Sequence, residues 1–116
     1  MSEDFYQKSL QIYDQLVEQF PNIQRKGKKN PYTSVNGHMF SFLDPAGMIS
    51  IRLSPEDQEA FMAKHNATHS IQYGKTMRGY VLVPSELHED HELLVKTLTS
   101  SYEYVSSLKP KPTKGK

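Results

Sequence analysis

The residues with chemical potential fall into a few short clusters. His65 and His69 are four apart, and His88 and His91 are three apart beside Glu89, Asp90 and Glu92. Imidazoles and carboxylates at helical spacing can share a metal ion. The first pair straddles a helix exit at Asn66, which breaks the shared face, and the second has no third ligand in view. Solvated histidines beside acids that favour a helix start explain the pattern, so no metal is assigned. Ser100-Ser101 and Ser106-Ser107 lie in a helical pattern without a neighbouring base or oxyanion donor, and no Gly-x-Ser-x-Gly sequence occurs. Gly74-Lys75-Thr76 is similar to the end of a phosphate loop, yet the upstream glycine is missing and a strand follows where a helix is needed. No catalytic residue and no cofactor is assigned, and the reading is that the chain is not an enzyme.

Two cationic clusters remain. Lys75, Thr76 and Arg78 stand between Gly74 and Gly79, and with Arg52 from a neighbouring strand they would hold an anion through charge-assisted hydrogen bonds. The competing reading makes them strand-end cations paired with surface carboxylates. Arg25, Lys26, Lys28 and Lys29, with Tyr32 to stack on a base, would contact a nucleic-acid backbone together with the lysine-rich tail. The competing reading is a solvated loop beside an edge strand, where lysines discourage pairing with another chain.

The chain has 116 residues, enough for one core without disulfides, and contains no cysteine. That excludes thiolate chemistry and fits the cytoplasm. No apolar run approaches the roughly 20 residues of a membrane span, and no signal peptide is recognised at the start, so a soluble protein without membrane contact is expected. The net charge of +1 is unevenly spread: four of fourteen basic residues lie in Arg25 to Lys29 and four more in the tail from Lys109. The remaining six face thirteen carboxylates, which leaves an acidic body with two cationic outgrowths.

The elements that must position these residues are legible from periodicity. Phe5, Ser9, Ile12, Tyr13, Leu16, Val17 and Phe20 repeat at helical spacing, with a cap at Ser2 and a stop at Pro21. A weak edge strand over Tyr32 to Val35 leads through an Asn36-Gly37 type I′ turn into a strand over His38 to Leu43. There, alternation predicts Phe40 and Phe42 on one face and Met39, Ser41 and Leu43 on the other. Asp44-Pro45-Ala46-Gly47 turns the chain into a strand over Met48 to Leu53. Ser54-Pro55-Glu56-Asp57 starts a helix that runs to about His65, burying Phe61 and Met62. Short strands follow over Thr68 to Tyr73 and Gly79 to Val83. An amphipathic segment from Ser85 to Leu108 carries Leu87, Leu94, Leu98, Val105 and Leu108 as a last helix, with Tyr102 or Ser101 completing its stripe. Residues 109–116 are predicted to be a disordered basic tail beyond a single domain of residues 1–108.

The expected fold is therefore α+β, in the order α-β-β-β-α-β-β-α, an antiparallel sheet with helices packed mainly on one face. Gly37-His38-Met39-Phe40-Ser41-Phe42, Ile51-Arg52-Leu53-Ser54-Pro55-Glu56-Asp57, Met77-Arg78-Gly79-Tyr80-Val81-Leu82-Val83-Pro84 and Tyr102-Glu103-Tyr104-Val105-Ser106-Ser107-Leu108, in this order and spacing, resemble the amino-terminal domain of the TfoX/Sxy competence regulators. The resemblance implies a small bacterial α+β domain, often found alone, related in fold to the YjbR-like proteins and carrying no established catalytic residues. The leading functional expectation is a binding or regulatory module that recognises a protein partner through an exposed sheet face or edge. Nucleic-acid association and small-anion binding are the alternatives. Edge strands would permit a homodimer, which no sequence pattern specifies.

Overall fold

The computed structural model describes residues 3–21, 23, 25–27, 31–35, 37–72 and 74–108, with Glu3 and Arg78 described in their backbones only. The expected cap Ser2, the turn residue Asn36, Lys28, Lys29 and the 109–116 tail lie outside the described residues. Helix α1 spans Glu3–Glu18, and its apolar stripe buries Ser9, Tyr13, Leu16 and Val17. Strands β1 (Tyr32–Val35), β2 (His38–Leu43) and β3 (Ile49–Arg52) form the expected antiparallel meander. Helix α2 (Pro55–His65) begins where Ser54 Oγ accepts from the Asp57 amide at 3.2 Å and ends at Asn66, whose φ of 53° is left-handed. Gln58 of α2 is also buried, its amide donating to the Leu53 carbonyl at 2.8 Å.

Strands β4 (His69–Gln72) and β5 (Lys75–Val83) complete a five-stranded antiparallel sheet in the order β1-β2-β3-β5-β4. β5 starts four residues earlier than periodicity predicts, because Lys75, Thr76 and Met77 pair with Gln72, Ile71 and Ser70 in a hairpin. The last helix begins later than predicted. Ser85–Leu87 is a single 3-10 turn, and α3 runs over His91–Ser106 after Asp90, whose carboxylate accepts from the Leu93 amide at 3.1 Å. The polar run before it thus forms a cap and not a first turn; only Glu92 lies inside the helix start.

All three helices cover one face of the sheet. Tyr13, Leu16, Phe61, Leu94, Leu98 and Val105 pack with Phe40, Leu43, Ile49, Ile51, Val81 and Val83 in one core. Phe40 corrects the predicted alternation. Register shifts between Thr33, paired with Ser41, and Ser34, paired with Met39, so Phe40 is the extra residue of a β-bulge. The bulge lets Phe40 join Ser41 and Leu43 on the helix side. Phe40 meets Tyr102 edge-on at 5.7 Å, and its carbonyl accepts from Ser101 Oγ at 3.3 Å. Phe42 stays on the opposite, outer face, with its ring 5.6 Å from Tyr80.

The outer face is not left open. Register jumps from His69 opposite Val81 to Ser70 opposite Met77, which leaves Arg78, Gly79 and Tyr80 unmatched on β5. Gly79, at φ 97°, supplies a conformation that side chains rarely tolerate, and the tip half of the hairpin folds over the outer face. Two contacts fix that fold-over: buried Ser70 hydrogen bonds to buried Ser50 of β3, and Gln72 reaches Asp44 at the end of β2.

Candidate functional site

The folded-over hairpin and the outer face enclose a groove of about 540 Å³, within the size range of small-molecule sites. Tyr32, Met39 and Phe42 line it from β1 and β2, Asp44 and Pro45 from the following turn, and Lys75 and Met77 from β5. Alternation along β5 puts Lys75 and Met77 on the groove side and Thr76 on the other. Tyr80 stabilises the floor: its hydroxyl donates to the Met39 carbonyl at 2.6 Å. Burial raises the Tyr80 pKa, against the opposing influence of Arg52, so the hydroxyl stays a donor.

The groove's two charged groups differ in their commitments. Asp44 Oδ1 accepts from the Ala46 and Met48 amides, each at 2.9 Å, and Oδ2 accepts from Gln72 Nε2 at 3.3 Å. Three of the roughly four acceptor positions of a carboxylate are therefore filled. Lys75 is exposed, and its ammonium meets no carboxylate or other acceptor among the described residues.

The anion candidates are dispersed. Lys75 lines the groove, Thr76 is exposed beside it, and Arg52 lies along Gly79, where an added Cβ would stand 3.8 Å from Arg52 Nε. The Arg78 side chain lies outside the described residues. In the basic segment, Arg25 is 2.5 Å from Asp14 and donates to the Gly27 carbonyl at 2.9 Å, while Lys26 Nζ donates to Ser34 Oγ at 3.1 Å. Lys26 and Tyr32 exchange backbone hydrogen bonds of 2.8 and 3.0 Å, which tie this segment to β1. The Tyr32 ring belongs to the groove.

Comparison with protein-family models, curated proteins and solved structures finds no match. Among the described residues no group of three or more histidines and carboxylates could hold a metal ion, and no helix is long and apolar enough to cross a membrane. His65 rests on Phe61 with rings 4.7 Å apart, and His91 is exposed at the start of α3. His88 is only 3% exposed and stacks on Phe5 at 6.1 Å, with Nε2 meeting no hydrogen-bond partner among the described residues. Burial lowers its pKa, while a hydrogen bond with the Val83 backbone and the Asp44 charge pull the other way.

Sequence reasoning missed Met39, Phe42, Asp44, Gln72 and Met77 as site residues. One signal was available: β2 carries large apolar residues on both faces, more than one core-facing side needs. Which element covers the second face follows from the bend at Gly79, which no local pattern reports.

Proposed function

We propose that this chain is a non-enzymatic binding module whose ligand enters the groove between the outer sheet face and the β4–β5 hairpin. One observation carries the reading: an apolar groove holds a carboxylate that already accepts from three N–H donors and an ammonium that, among the described residues, meets no acceptor. Convergence of an apolar surface with one unspent polar group is the usual composition of a ligand site. The resemblance to the TfoX/Sxy amino-terminal domain supports a regulatory role for such binding. The lack of cysteine supports a cytoplasmic setting.

Methyl NMR tests the site directly. The expected outcome with a panel of small apolar and amphipathic molecules is a shift of the Met39 and Met77 methyls, with Met48 and Met62 unchanged. A panel that moves neither groove methyl overturns the reading.

A second reading, recognition of a protein partner, is favoured by Ile71. It is 60% exposed on the edge strand β4, the large hydrophobic left open among the described residues. Such an edge can accept a partner's strand. Ile71→Asp would then abolish association while Lys75→Gln leaves it intact; the reverse dependence rejects this reading.

A further inference from the structure

Resting on the groove as the ligand site, we infer that its ligand is an amphipathic monocarboxylate: an aliphatic chain lies over Met39, Phe42 and Met77, and its carboxylate meets Lys75 at the rim. Charge complementarity selects the carboxylate. An apolar ligand with a cationic end would need Asp44, whose oxygens already serve the Ala46 and Met48 amides and Gln72. Displacing those donors would undo both the turn after β2 and the clasp on the hairpin. A carboxylate needs no displacement, because Lys75 brings three N–H donors that no described residue uses. Gln72 stands opposite Lys75 in the hairpin register and donates its amide to Asp44, so the residue paired with Lys75 already occupies one Asp44 oxygen.

The shape of the groove agrees with a flexible tail. Two of its walls are methionines, whose unbranched side chains adapt to an irregular chain better than branched ones. Tyr32 and Phe42 supply flat apolar surface between them.

The test compares decanoate, decanol and decylamine by calorimetry and by methyl NMR on the intact chain. Decanoate is expected to bind about fivefold more tightly than decanol, the scale of one partly exposed ion pair, and to shift the Met39 and Met77 methyls. Lys75→Gln should bring decanoate down to the level of decanol, and Lys75→Arg should restore the difference. Because Lys75 is exposed, neither variant threatens the fold. Equal binding of all three probes at the groove methyls overturns the carboxylate assignment while leaving the groove as the ligand site. Preferential binding of decylamine also overturns it. Absence of any groove-methyl shift overturns both.

Discussion

Gln72 donates its side-chain amide to Asp44 across 3.3 Å, joining the tip of the β4–β5 hairpin to the turn that follows β2. The two residues are 28 positions apart, and their bond holds one wall of the groove against the other. Gln72→Ala should cost about 0.5–1.5 kcal/mol, the usual net worth of one hydrogen bond. The more specific outcome is local: amide exchange in Ser70 to Gln72 should quicken while α3 stays protected.

His88 predicts an acid-side loss of stability. Its folded pKa lies below the ordinary value of 6.5, so the unfolded chain binds the proton more readily. The stabilisation is fully present above about pH 6.5 and is lost as pH falls through the folded value. The charged or titratable groups around it are Asp44 at the turn after β2, Lys8 on α1, and Glu89 and His91 at the approach to α3. Glu89 is held below its ordinary range by Lys8 and acts in a separate window below about pH 4.5. Urea denaturation at pH 7.5, 6.5 and 5.5 should show the loss, and His88→Gln should flatten it.

Tyr13 predicts the opposite edge of the pH range. Its hydroxyl is fully buried at 2.7 Å from Ser41 Oγ, which is in turn 2.5 Å from Thr33 Oγ1. Burial pushes its pKa up to about 12, above the ordinary 10.0, against the pull of these hydrogen bonds. A raised folded pKa means stability intact below about pH 10 and lost as pH rises through about 12. Two pKa units correspond to about 3 kcal/mol. Tyr13→Phe should remove the alkaline loss and cost about 1 kcal/mol at neutral pH, measured by denaturation from pH 8 to 11.

Two glycines should fail for different reasons. At Gly79 an added Cβ would meet Arg52 atoms at 3.8 and 3.9 Å, ordinary contacts, so the cost of Gly79→Ala is the backbone at φ 97°. About 1–3 kcal/mol is expected, with the hairpin loosened from the outer face. Gly47→Ala adds to a similar φ an overlap with the Phe5 ring at 2.9 Å, and should be the more damaging of the two. Thermal melts of both variants rank them.

Much of the fold was legible because its signals are local. The caps at Ser54 and Asn66, the turn at Asp44 to Gly47 and the edge position of β1 each follow from a few consecutive residues. The start of α3 was misplaced because apolar spacing from Leu87 onward continues the helical period, and only the Asp90 side chain, bound to the Leu93 amide, marks the true beginning. Lys75 stood out in the sequence as a cation between glycines; its place beside apolar side chains, with no acceptor among the described residues, did not.

The α+β class, the order of the elements, the helix-facing residues of β3 and the lack of thiol chemistry were readable from the sequence, since periodicity and composition are properties of neighbouring residues. Tertiary structure alone decided that Phe40 turns toward the helices, that His88 is buried against Phe5, and that Met39, Phe42 and Met77 share a groove with Lys75. Each of these depends on a bulge, a bend or a contact between residues far apart in the chain. A side-chain period of two carries no information about where that period breaks.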